Sequence, residues 1–200
     1  MKQRSRHLHS AENSLLVLVD IQEKLLPVIP DGHTIFGNIR FLLDAARVLN
    51  VPAMVTEQYP KGLGRTVAEL DQHPAIRSAQ EKLRFSAADA IRESGLADSE
   101  ASVGARHIIL TGIETHICIL QTAFDLLDQG YPVTLAVDAT GSRHRLDQDT
   151  ALRRLQTAGV TLTTVEAVAF EWCEMAGTDS FKAVSRLVRD RFVSASGELR

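Results

Sequence analysis

Cys118 is the side chain best placed to act as a nucleophile in this sequence, and Asp20 is the best placed to serve it as a base. Cys118 ends the run Thr111-Gly112-Ile113-Glu114-Thr115-His116-Ile117-Cys118, between an apolar segment and a stripe of helical period. Thr115 reads there as an N-cap, and the free N–H groups and dipole of a helix start favour a thiolate. A thiol that attacks a carbonyl needs a base and a site for the oxyanion. His116 is two residues away on the same turn, where side chains do not face one another. Asp20 closes the apolar run Leu15-Leu16-Val17-Leu18-Val19, and a strand end can reach a neighbouring helix start. Each residue also has a plain structural reading, as a packed thiol and as a helix cap.

The elements that must position these two groups follow from the patterning. Continuous apolar character, as in Leu15–Val19, is what a strand covered on both faces requires, hence a parallel sheet. Similar runs recur at Val51–Thr56, Arg106–Thr111, Pro132–Val137 and Val160–Val165, with a further strand expected around Glu81–Phe85. Between them Ile35, Ile39, Leu42, Leu43, Ala46 and Leu49 recur at helical spacing, as do Ile117, Leu120, Phe124 and Leu127. Leu152, Leu155 and Ala158 form a third stripe, and Ser180 to Phe192 reads as a terminal helix. Strands alternating with helices predict a three-layer α/β/α, Rossmann-like domain with a mainly parallel six-stranded sheet. We expect one domain over 14–200, preceded by a frayed lead-in, 1–13, carrying Lys2, Arg4, Arg6, His7 and His9. Open parallel sheets bind ligands at the C-terminal ends of their strands. That rule selects Asp20, the run Thr56-Glu57-Gln58-Tyr59, the segment Thr111 to Cys118, and Asp138-Ala139-Thr140-Gly141-Ser142.

Composition removes several classes of function. Lys and Arg number 22 against 25 Asp and Glu, a formal charge of −3, which is no footprint for nucleic acid or an anionic membrane. The local basic groups, Arg143 with Arg145 and Arg186 with Arg189 and Arg191, read as solvated helix faces. Arg143 and Arg145 have a second reading, as groups that approach an acidic substrate. Two cysteines, Cys118 and Cys173, make no disulfide framework, and Met1 to Asn13 is too polar for a signal peptide. No apolar stretch approaches the ~20 residues that span a bilayer. A cytoplasmic protein with reduced thiols is the expectation.

Taken together, Leu15–Val19 with Asp20-Ile21-Gln22, then Glu81-Lys82, then Gly112 to Cys118 resemble the isochorismatase-like cysteine hydrolases. That family includes nicotinamidases, carbamoyl-amide hydrolases and isochorismatase. The resemblance covers roughly 14–190. It is closest to the isochorismatase-domain-containing branch, through Thr56-Glu57-Gln58-Tyr59-Pro60-Lys61-Gly62-Leu63-Gly64. It implies a catalytic triad of Asp20, Lys82 and Cys118, with Lys82 depressing the thiol pKa and holding the Asp. Without the resemblance Lys82 reads as a surface lysine. The resemblance also implies a cis peptide bond at Ile113–Glu114 and an oxyanion site made by the backbone N–H groups of Glu114 and Cys118. Homo-oligomers, dimeric or larger, are usual in the family, and the apolar residues around Trp172 and Phe181 are candidates for the contact.

Departures from the family pattern matter as much. Nicotinamidases carry an Asp-x-His metal site after the second strand, where this chain has Glu57-Gln58-Tyr59-Pro60, so no metal or cofactor is expected. Leu25 stands where the family often has an aromatic residue that stacks on a ring substrate. Tyr59, Phe85 and His116 join Leu25 as candidate pocket residues, while Asp138 and Ser142 read as turn formers. Trp172, Cys173 and Met175 read as packing or a subunit contact. The expected activity is metal-independent hydrolysis of a small amide or related acyl compound through a Cys118 acyl-enzyme. Two rivals stand beside it. One is an isochorismatase-type vinyl-ether hydrolase using Asp20 as an acid, and the other is a non-catalytic assembly module of the same fold.

Overall fold

The computed structural model describes residues 4, 5, 7–98 and 106–196, so the extremities of the expected lead-in and domain lie outside the described residues. In chain order the elements are β1 (Ser14–Val19), a 3₁₀ turn (Leu26–Val28), α1 (Gly32–Val48), β2 (Ala53–Gln58), α2 (Pro60–Leu63) and α3 (Ala68–Asp71). β3 (Ile76–Lys82), α4 (Ala88–Glu93), β4 (His107–Ile113), a π turn (Thr115–Ile119) and α5 (Leu120–Asp128) follow. β5 (Val133–Gly141), α6 (Arg145–Thr157), β6 (Thr161–Thr163), α7 (Val165–Cys173) and α8 (Asp179–Ser196) complete the chain. The six strands run in the order β3-β2-β1-β4-β5-β6, and every neighbouring pair is parallel.

The two-sided burial read from β1 has a direct cause. Leu16 and Leu18 pack with residues of α1, α7 and α8, while Leu15, Val17 and Val19 pack with α4, α5 and α6 on the opposite face. Each such leucine contributes about 1.5–3 kcal/mol by leaving water, so β1 is the spine of both cores. Connections run one way from β1 to β2 and β3 and the other way from β4 to β6, so the switch point lies between β1 and β4. Their C-terminal ends open the crevice in which Asp20 and Cys118 sit.

Several elements differ from the sequence expectation. The third strand ends at Lys82, where one was expected over Glu81–Phe85. It is the sheet edge, and its side chains alternate between half-buried and exposed, so it lacks the apolar run that marks the inner strands. Thr115 does not cap a helix: Glu114 holds the extended cap position, and a π turn separates it from α5. Trp172 is buried and donates through Nε1 to Ser14 Oγ at 3.0 Å, so it is core and not free for a partner. Part of the lead-in is tied down. Arg4 donates to the carbonyls of His9 (2.7 Å) and Glu171 (2.5 Å), and buried His9 meets His107 edge to face at 4.3 Å. Burial first, with Arg4 beside His9 and His9 beside His107, pushes both imidazoles down to about 4 and keeps them neutral. Among the described residues no helix is long and apolar enough to cross a membrane.

Candidate active site

Asp20 follows β1 at a left-handed φ of 56°, which turns the chain out of the sheet and leaves its carboxylate in the crevice. Thr56 Oγ1, from β2, donates to Asp20 Oδ1 at 2.8 Å, and Lys82 Nζ, from the end of β3, lies 2.7 Å from Oδ2. Cys118 lies near enough to this pair for both the Asp20 and the Lys82 charge to act on its thiol. Three strands and the turn after β4 thus bring Asp20, Lys82 and Cys118 together, and all three are buried. Lys82 is not a surface residue. Its Nζ also donates to Gln58 Oε1 (2.7 Å) and the Phe85 carbonyl (2.9 Å), with the Arg84 carbonyl farther off at 3.3 Å.

Glycine is obligatory at the point where β4 passes β1. Gly112 has φ 118°, and a Cβ there would lie 2.6 Å from the Val19 nitrogen and closer still to its carbonyl oxygen. The peptide bond Ile113–Glu114 that follows is cis. Glu114 and the π turn, with Cys118 in it, follow directly from the C-terminal end of β4. The shape of this turn is held from the end of β5 and the two residues that follow it. Glu114 accepts from the Arg143 N–H and Nε, Thr115 Oγ1 donates to Thr140 Oγ1 at 2.9 Å, whose own proton goes to the Gly112 carbonyl, and His116 Nδ1 meets Ser142 Oγ at 3.0 Å. Ser142 is therefore more than a turn former, and the Arg143 guanidinium is engaged with a carboxylate of its own chain.

The electrostatics overturn one expectation. A thiolate at rest was expected from a helix start and a nearby lysine. Burial, then the Asp20 charge, pushes the Cys118 thiol up to about 12, and the Lys82 ammonium offsets only part of this. The π turn gives Cys118 no regular helix start, and the dry setting disfavours the anion. Burial likewise raises Asp20 above the usual carboxylate range, against the pull of Lys82. The resting proton is on sulfur. At pH 7 a thiol of pKa about 12 is ionised in roughly one molecule in 10⁵. Iodoacetamide should therefore label Cys118 slowly at pH 6.5, with a rate that climbs about tenfold per pH unit through pH 9. A rate that levels off below pH 8, read by peptide mass mapping, would contradict a protonated resting thiol.

The candidate pocket residues are not brought together. Phe85 lines a cavity of about 400 Å³ with Arg84, Ser86, Gln121, Phe124 and Asp125. His116 lines another, of about 330 Å³, with Leu120, Asp147 and Arg154. Tyr59 is half exposed at the end of β2, and Leu25 packs against the core around α1. Where a metal set was sought, other contacts stand: Glu57 accepts from Arg65 Nη1 and the Thr66 N–H, both at 2.7 Å. Burial works to raise the Glu57 pKa, but these donors hold it below the usual carboxylate range. Gln58 serves Lys82, and Gln22 braces Gln58 by donating to its carbonyl at 3.0 Å and accepting its N–H at 2.8 Å. The strand-end rule selected Gln58, and Arg143 was read as a group that approaches an acidic substrate; sequence reading missed that Gln58, braced by Gln22, serves Lys82 and that Arg143 binds Glu114.

Residues 14–167 match the isochorismatase domain family model. This chain belongs to that family. Its relatives include isochorismatase domain-containing protein 2 of Danio rerio, 37% identical over 182 residues, covering 90% of this chain and 88% of that protein. Isochorismatase domain-containing protein 1 of Danio rerio is also 37% identical, over 90% of this chain, but the chain spans only 62% of its length. Among solved structures, one named Mar1 ribonuclease from Caenorhabditis elegans superposes with a TM-score of 0.78 at 36% identity, covering 90% of this chain and 91% of that one. Family membership makes a hydrolase of isochorismatase-like fold the shared background for the site.

Proposed function

We propose that this isochorismatase-family protein hydrolyses a small amide or related acyl compound through a Cys118 acyl-enzyme. The observation that carries the reading is the Asp20 carboxylate, 2.7 Å from Lys82 Nζ and buried together with Cys118 at one end of the sheet. Because the thiol is protonated at rest, sulfur attacks the carbonyl as its proton passes to Asp20. The raised Asp20 pKa suits a base that must accept a proton near neutral pH. The oxygen charge that develops falls to the N–H groups of Glu114 and Cys118. The departing amine takes the proton from Asp20, and the same carboxylate then activates water to hydrolyse the thioester.

One observation also favours vinyl-ether hydrolysis: a carboxyl whose pKa is raised by burial can act as an acid. Screening the purified protein against small amides, ureides and vinyl ethers separates the two, since turnover of vinyl ethers alone would overturn the acyl-enzyme reading. The ribonuclease activity named for the solved relative is not carried over, because a formal charge of −3 provides no phosphate footprint. The reading is metal-independent, since Glu57 is already bonded to Arg65 and Thr66. Activity should survive exhaustive chelation; a stoichiometric transition metal in the purified protein, with activity lost on its removal, would contradict this.

A further inference from the structure

We propose that Arg143 is a positioning residue, which holds the turn Glu114–Cys118 in shape by pinning the Glu114 carboxylate. The inference rests on the acyl-enzyme reading above. Three successive side chains of the turn are each tied to the end of β5: Glu114 to Arg143, Thr115 to Thr140, and His116 to Ser142. Thr140 Oγ1 also donates to the Gly112 carbonyl at 2.8 Å, so β5 braces the end of β4 as well as the turn after it. The turn needs this help because its own backbone bonds are irregular: the N–H groups of Ile117 and Ile119 both go to the Glu114 carbonyl, at 3.1 and 3.3 Å.

Of the three ties only Glu114–Arg143 is ionic, and it is the most constrained. Arg143 Nε lies 3.1 Å from both carboxylate oxygens, and the Arg143 N–H reaches Oε2 at 2.9 Å. The Glu114 side chain is 7% exposed while the Arg143 side chain is 53% exposed. A charge buried on one side is thus matched by a group that can be changed without opening the core. Glu114 itself carries one of the two N–H groups assigned to the oxyanion. Such donors act only if held to within about 0.5 Å of their working place. Arg143 acts through Glu114 on that placement and touches no reacting atom.

Two reactions at the same sulfur separate this role from a structural one. With p-nitrophenyl acetate, sulfur adds to the carbonyl carbon, its proton moves to Asp20, and the carbonyl electron pair becomes an oxyanion. Collapse expels p-nitrophenolate and leaves an acetyl thioester. With iodoacetamide, sulfur displaces iodide and no oxyanion forms. Arg143→Met should slow acetylation of Cys118 about tenfold or more, at pH 8.5, while alkylation stays within about twofold of wild type. Arg143→Lys, which keeps the charge and loses the Nε contact to both oxygens, should fall between. Glu114→Gln provides the same comparison should Arg143→Met fail to fold. Equal losses in both reactions, or no loss of acetylation, would overturn the positioning role with the hydrolase reading intact. A wild-type protein in which alkylation occurs but no Cys118 thioester forms would overturn the hydrolase reading, and this role with it.

Discussion

Cys118→Ala should lower the hydrolysis of any small amide that the protein turns over by about 10³-fold or more, with little change in Tm. Removing the sulfur abolishes the acyl-enzyme, and what remains is substrate binding and the N–H groups of the turn. The side chain is small and sits at the crevice end of the core, so its loss leaves only a minor cavity. Asp20→Asn should cost activity as heavily but also stability, because it leaves the Lys82 ammonium buried beside a neutral amide. The pair of variants therefore reads chemistry and folding separately. A vinyl-ether activity that survives Cys118→Ala and is lost in Asp20→Asn would identify the acid mechanism. Full amide turnover by Cys118→Ala would remove Cys118 from the reaction altogether.

Gly112→Ala should destabilise the fold by about 3 kcal/mol or more, a fall in Tm of roughly 6–12 °C for a domain of this size. The Cβ would meet the backbone of Val19, the residue before Asp20, and backbone in the middle of a parallel sheet has nowhere to go. Its φ of 118° is also closed to alanine. Gly37→Ala is the control: that glycine lies inside α1 with nothing within 4 Å of an added methyl, and should gain up to about 1 kcal/mol. Thermal unfolding by circular dichroism decides the matter. A Gly112→Ala protein as stable as wild type would mean that β1 and β4 do not approach as closely as their pairing requires.

The inner sheet was legible because β1, β4 and β5 are covered on both faces and so carry apolar residues at successive positions, Leu15–Val19 without a break and β4 and β5 nearly so. β3 was displaced by several residues because an edge strand half open to solvent leaves only alternation to read. Asp20 and Cys118 could be singled out from strand-end position alone, while the role of Lys82 came from family resemblance, since nothing local distinguishes it from a solvated lysine. Gln58 was marked by its strand end and Arg143 as a substrate contact, but the partner each serves was not legible. Their work is done by contacts across 24 and 29 positions of sequence, set by neighbouring strand ends and not by any local spacing. The thiol pKa was read with the wrong sign for a related reason. Sequence shows which charges and helix starts lie nearby, but desolvation is a property of the packed crevice, and here it is the larger effect.

The ammonium of Lys82 has three N–H bonds and three acceptors, Gln58 Oε1 (2.7 Å) and the carbonyls of Phe85 (2.9 Å) and Arg84 (3.3 Å), with Asp20 Oδ2 at 2.7 Å as its ion-pair partner. It has none to spare for a departing group. In the proposed reaction the proton inventory of the crevice therefore shrinks to a single mobile proton, exchanged between Cys118 and Asp20. That carboxyl cannot deprotonate water until it has surrendered the first proton to the amine. The order of product release is dictated accordingly, amine before acid, a double-displacement rhythm. An added nucleophile such as hydroxylamine can then intercept the thioester only after the amine has left, and would divert the acyl group without altering the rate at which amine appears when acylation is the slow step.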